Sequence, residues 1–129
     1  MKKYSAKLLF QFRVDCGSGQ SDIMRRCEER IIVLSAHNAK SALRKAKLKG
    51  SKAEFIGTGE AGNPIHFEFV GVLDLLEIGI ECEPDEVWYN ITTKKRPMER
   101  RDKIIPKEEN LNALFWEAKK NKPSTRRNR

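Results

Sequence analysis

Residues 63–79 read Asn-Pro-Ile-His-Phe-Glu-Phe-Val-Gly-Val-Leu-Asp-Leu-Leu-Glu-Ile-Gly, the longest β-type run in the chain. Ile65, Phe67, Phe69, Leu73 and Leu75 share one parity. His66, Glu68 and Asp74 share the other, with Val70 and Val72. Alternation of this kind specifies a strand with one dry face and one mixed face. The other apolar segments are expected to pair with it or lie across it. Gly71 falls between Phe69 and Leu73 on the dry face, and a glycine inside a strand marks a close backbone approach or a bulge. As a close approach, it is the point where a helix crosses. As a bulge, it flips the parity and turns Asp74 inward. Both readings stay open.

Tyr4 to Val14 also alternates, with Tyr4, Ala6, Leu8, Phe10, Phe12 and Val14 on one side and Ser5, Lys7, Gln11 and Arg13 on the other. Leu9 is the exception. Asp15 to Arg26 contains Gly17-Ser-Gly19 and reads as a flexible loop; a phosphate cradle would need a helix start directly after it. Cys27 to Ala36 is a second strand. Its run Ile31 to Leu34 suggests burial on both faces and an inner position. Asn38 suits a helix N-cap, and Ala39, Ala42, Leu43 and Ala46 follow at helical spacing, with Gly50 as the residue past the helix end. Ala53 to Ile56 and Val87 to Thr92 complete the strands. The fold class is therefore α+β: a small antiparallel β-sheet of ββαββ type, four to five strands, with one helix across one face, plus a C-terminal helix.

The chain has 129 residues and a net charge of +8. Residues 94–129 hold thirteen cations and five anions, the whole excess; residues 1–93 carry thirteen of each. Two parts follow: an α+β domain over 1–93 and a basic tail over 94–129, with a helix at about 107–120. Pro106 opens that helix, and Glu108 and Glu109 suit its first turn. Leu111, Leu114 and Phe115 form an apolar stripe with Trp116 beside it. The stripe either docks on the mixed face over Leu9, Val70 and Val72, the favoured reading, or enters the groove of a partner. The remainder, from Lys122, has the composition of a disordered end.

No apolar run approaches the ~20 residues of a membrane span. The start enters an alternating segment and does not read as a signal peptide. A cytoplasmic location is the expectation, with reduced thiols. Cys16, Cys27 and Cys82 lack the paired spacing of a zinc site, so neither metal nor cofactor is expected. Cys16 and Cys27 flank one loop.

Candidate sites are few. His66 and Glu68 lie two apart on one strand face, as an acid/base pair can. An exposed pair on a wet sheet face explains them better, and no nucleophile or oxyanion donor accompanies them. Asp74 could join Glu28 or Glu29, or pair with Arg30. In the tail, Lys94, Lys95, Arg96, Arg100 and Arg101, with Arg126, Arg127 and Arg129, could neutralise phosphates, or simply solubilise.

Four stretches carry a family resemblance: Tyr4 to Phe10 (YSAKLLF), Glu28 to Ile32, Ala39 to Gly50, and Phe67 to Asp74 (FEFVGVLD). Over residues 3–92 the chain resembles the bacterial domain-of-unknown-function family 4288. That resemblance implies a small α+β domain and brings no activity, cofactor or catalytic residue. The expectation is a non-enzymatic protein-interaction module of accessory or immunity type. The alternative is a nucleic-acid accessory protein acting through the tail. The sheet edges allow a homodimer.

Overall fold

The alternating row from Tyr4 to Val14 lies in the strand that has neighbours on both sides. The computed structural model describes residues 1–120. The chain divides into two units, Met1–Asn90 and a second that begins at Ile91. In the first, β1 (Lys2–Gly17) pairs antiparallel with β3 (Arg26–Ala36) on one side and with β5 (Pro64–Glu77) on the other. The short β2 (Gln20–Ser21) pairs with the end of β1, and β4 (Phe55–Thr58) pairs with the start of β5. Helix α1 (Ala39–Lys52) crosses one face. The centre of the sheet is thus shared: β5 is an inner strand where β4 flanks it, but β1, not residues 63–79, is the strand on which β3 assembles.

The inward row of β1 behaves as its parity dictates. Tyr4, Ala6, Leu8 and Phe10 are buried, and with Phe67 and Ala46 they form the core. Each large side chain removed from water in this way contributes about 1.5–3 kcal/mol. The rings of Phe10 and Phe67 stack at 4.7 Å, and Phe55 and Phe12 lie 5.1 and 4.9 Å from Phe67. Arg30 lies over Phe10 at 4.7 Å and Arg26 over Phe12 at 5.8 Å, so guanidinium groups shield the part of the aromatic row nearest β3.

In β5 the parity rule fails in an instructive place. The pairing slips between Leu9 and Phe10 and again between Lys7 and Leu8, leaving Val70 and Leu73 as extra residues. Two bulges cancel, each adding one residue to one strand. Val72, assigned by simple parity to the mixed face, pairs with Leu8 and packs on the core. Leu73, assigned to the dry face, is exposed. Gly71 sits opposite Leu9 on the outward face with no atom within 4 Å of where a Cβ would be, so it is not the crossing point. Asp74 stays outward, opposite Lys7.

The close approach is made from the other partner. Gly50, expected just past the end of the helix, lies inside α1, which runs to Lys52 with Ala53 as its C-cap. A Cβ on Gly50 would stand 2.5 Å from the Phe69 ring. With Ala46 and Ala42 one and two turns earlier, the buried stripe of α1 is nearly flat, which lets the helix settle on β1 and β5. Asn38 caps the helix as expected, its Oδ1 accepting from Ser41 N at 2.8 Å.

Three further expectations are corrected. β3 is an edge strand: Ile32 and Leu34 pack inward, while Ile31 and Val33 are 41% and 49% exposed on the outward face. The apolar quartet thus reflects one buried face and one open apolar face rather than two buried ones. Residues 87–92 form no strand; the outward Lys7 ammonium instead lies over the Trp88 ring, 5.4 Å from its centroid. The segment around Gly17 is a tight hairpin turn. Ser18 and Gly19 both have positive φ, as a two-residue connection between right-twisted strands requires.

The second unit contains α2 (Arg101–Ile104), a 3-10 turn at Glu108–Asn110 and α3 (Asn112–Lys120). The expected helix from 107 is therefore broken at Leu111, and part of the expected linker is helical. Among the described residues, no helix is long and apolar enough to cross a membrane.

Gly50→Ala is expected to destabilise the protein by about 1–3 kcal/mol through overpacking against Phe69, despite the ~1 kcal/mol that alanine adds to an unstrained helix. Gly71→Ala is expected to stay within about 0.5 kcal/mol of wild type. Urea unfolding of both variants checks this; equal stability would show that Gly50 does not set the helix position.

Candidate functional site

The outward side chains at the hairpin end of the sheet form one connected polar cluster. β1 supplies Gln11, Arg13 and Asp15 and β5 supplies His66 and Glu68, because Arg13 faces His66 and Gln11 faces Glu68 across the ladder. Arg13 grips Glu68 with two parallel bonds, Nε to Oε1 at 2.9 Å and Nη2 to Oε2 at 2.8 Å. Its Nη1 reaches Asp15 Oδ1 at 3.1 Å and Ser21 Oγ at 2.9 Å. Gln11 Nε2 also donates to Glu68, and its Oε1 accepts from Arg25. His66 Nε2 lies 3.0 Å from Asp15 Oδ2. Asp22 Oδ1 accepts from Val14 N, and Asn63 Nδ2 donates to Asp15 O, tying the flanking turns to the cluster.

His66 and Glu68 do not bond to each other: His66 pairs with Asp15, and Glu68 with Arg13 and Gln11. Hydrogen bonds from Arg13 first and Gln11 second pull the Glu68 carboxyl down to about 2. The bond with His66 holds Asp15 below the usual carboxylate range, and Glu68 in turn raises Arg13. Carboxylates this well satisfied stay ionised at neutral pH and make poor proton acceptors there. The chemistry of the cluster is that of a strap across β1, β2 and β5. Sequence reading found His66 and Glu68 but missed Arg13 and Asp15, which lie 55 and 51 residues away. Their shared outward parity was the available signal; the register was not.

The other candidates disperse. Glu28 pairs with Arg30 at 2.6 Å and Glu29 with Lys7 at 3.3 Å, so neither joins Asp74. Asp74 Oδ1 accepts from the next backbone amide, Leu75 N. Cys27 stands opposite Gln11, five positions along β1 from Cys16, which separates the two thiols by on the order of 15 Å. All three cysteines are free, and Cys82 is buried. Among the described residues, no three His, Cys, Asp or Glu side chains converge as metal ligands would.

In the second unit, Lys94, Lys95, Arg96, Arg100 and Arg101 are exposed on a turn that leads into α2. Arg100 and Arg101 donate to the carbonyls of Lys95 and Met98. None of the five has a carboxylate partner among the described residues. Leu111, Leu114, Phe115 and Trp116 are exposed, with Phe115 edge-on to Trp116 at 5.8 Å and Lys119 over Trp116 at 5.0 Å. Arg126, Arg127 and Arg129 lie outside the described residues.

The depressed Glu68 value has a defined sign. Its folded pKa lies below its ordinary value, so its stabilising effect is present above 4.5 and is lost as pH falls toward 2. Glu68→Gln is expected to be less stable than wild type at neutral pH, with the gap closing across that window. Urea midpoints measured from pH 7 down to 2 check this, and a gap independent of pH would contradict it.

No curated protein and no solved structure matches the chain. Its family is nevertheless shown, by a match that takes in the whole sheet, α1 and the loop after β5: the model of the family described as domain of unknown function (DUF4288) covers residues 3–86, and the chain belongs to that family.

Proposed function

We propose that the protein is a non-enzymatic interaction module, of accessory or immunity type, that takes up an extended segment of a partner protein along the free edge of β3. The observation that carries this reading is an 11-residue edge strand whose second half is apolar and open. Edge strands of this length are usually blunted by charge, proline or a covering element. Here Arg26, Glu28, Glu29 and Arg30 blunt the first half, whereas Ile31 to Leu34 carries no charge. Lys45 Nζ donates to Ser35 O at 2.7 Å, which places the polar groups of Ser35 on the free edge. By strand alternation those of Ile31 and Val33 lie there too. A partner strand would find backbone donors and acceptors for affinity, with Ile31 and Val33 for side-chain contact. The saturated polar cluster at the hairpin end supports a binding role over acid/base catalysis.

A second reading rests on a separate observation: the five exposed cations between Lys94 and Arg101, without carboxylate partners among the described residues. They suit salt-sensitive, sequence-independent contact with nucleic acid.

Ile31→Pro removes an amide directed at the free edge and is expected to leave the unfolding midpoint nearly unchanged. It should abolish retention of any partner that wild type holds, measured by affinity capture of both proteins side by side. Retention by the proline variant would exclude the β3 edge. A concentration-dependent dimer that the same variant dissolves would identify the partner as a second copy. For the second reading, replacing the five cations by glutamine should flatten the salt dependence of DNA binding, by roughly 0.9 in log–log slope for each phosphate no longer neutralised.

A further inference from the structure

The even charge balance of residues 1–93 hides a separation. Six of the thirteen cations sit on α1, as Lys40, Arg44, Lys45, Lys47, Lys49 and Lys52, and α1 contains no acidic residue. None of the six has a carboxylate partner among the described residues. The helix dipole accounts for Lys49 and Lys52 in the last turn, but it opposes Lys40 in the first. Helical spacing sorts the six into two rows. Lys45, Lys49 and Lys52 repeat at i, i+4, i+7 on the flank toward β3; Lys40, Arg44 and Lys47 repeat in the same way on the other flank.

The flank toward β3 is concave. A hollow of about 460 Å³ is lined by Arg30, Lys45, Leu48, Lys49, Lys52 and Ala53. Arg30 is held in place on two sides, by the Phe10 ring beneath it and by Glu28 Oε2 at its Nε. Its two terminal nitrogens have no hydrogen-bond partner among the described residues. Four cations from two rigid elements therefore converge on one hollow, with Glu28 as the carboxylate beside them.

We propose that this hollow and the lysine row above it bind the phosphate backbone of a nucleic acid. Cations one helical turn apart are spaced by about 5–6 Å along the axis and can meet successive phosphates. A planar guanidinium with free terminal nitrogens suits bidentate phosphate contact. Cations clustered along one helix that contains no acidic residue are the electrostatic footprint of such binding. A membrane surface is disfavoured as the source of phosphate: Leu48 is the one large apolar side chain on this flank, and the alanine stripe of α1 is spent on the sheet. This site is separate from the tail cations of the second reading.

The test is fluorescence anisotropy of a labelled mixed-sequence DNA duplex and a labelled single-stranded RNA, titrated with full-length protein over a salt series. Three variants carry the same loss of charge: Lys49→Gln/Lys52→Gln in the hollow, Lys40→Gln/Lys47→Gln on the opposite flank, and Lys94→Gln/Lys95→Gln in the tail. The hollow pair should weaken binding about tenfold and lower the log–log salt slope by about 2, at roughly 0.9 per phosphate for duplex DNA. The opposite-flank pair should change the slope by less than about a third of that. Arg30→Lys, which keeps charge but loses the planar fork, should weaken binding without changing the slope. Equal effects from all three pairs would reduce the hollow to unspecific charge and overturn the proposal. Loss with the tail pair alone would overturn it while supporting the tail reading. Binding of neither nucleic acid, or binding only of phosphatidylserine vesicles, would overturn it as well. Circular dichroism and urea midpoints confirm that the exposed substitutions leave the fold intact.

Discussion

The contact between Gly50 and the Phe69 ring fixes how far α1 stands from the sheet, and the rest of the first unit is arranged around that distance. Without a Cβ at Gly50, and with only methyl groups at Ala42 and Ala46, the helix brings little volume of its own to the core. The sheet must supply it, and does so through Phe10, Phe67, Phe69 and Leu8. The long side chains of α1 are left to its flanks and outer surface, and nearly all of them are cationic. A thin helix on a thick aromatic layer thus converts a packing rule into a charge distribution.

The acidic counterpart lies elsewhere in the chain. Asp74, Glu77, Glu81, Glu83, Asp85 and Glu86 concentrate six carboxylates at the end of β5 and in the loop after it. Several are engaged locally: Glu81 accepts from Glu77 N and Glu86 from Glu83 N. The first holds the last residue of β5, and the second fixes loop backbone that has no ladder to join. The domain is neutral in sum and polar in plan, with acid groups tied into turns and ion pairs and the cations of α1, Lys45 apart, left open.

Much of this was legible in the sequence, for reasons that differ from element to element. Tyr4 to Val14 could be read because a single alternating row has one register that buries it. Asn38 could be read because a cap is a local bond. The faces of Val72 and Leu73 could not, since a bulge depends on the partner strand and two of them leave the distant parity unchanged. Ile31 to Leu34 was ambiguous in principle: an inner strand and an edge strand with an apolar outer face spell the same four letters. Val87 to Thr92 had β-type composition but no neighbouring strand to receive it. At the polar cluster, His66 and Glu68 were visible as a pair two residues apart, yet their bonds run to Asp15 and Arg13 on another strand. The charge of α1 was in plain view and was averaged away by summing over the domain.

The two bulges of β5 also bear on heredity. A residue deleted at Val70 or Leu73 restores plain alternation and leaves every other side chain on the face it now occupies. A residue deleted between His66 and Glu68 instead turns over the residues from there to the first bulge and carries Phe69 outward. Losses of length along this strand are therefore absorbed at the two bulges, each of which holds one residue more than its partner strand needs.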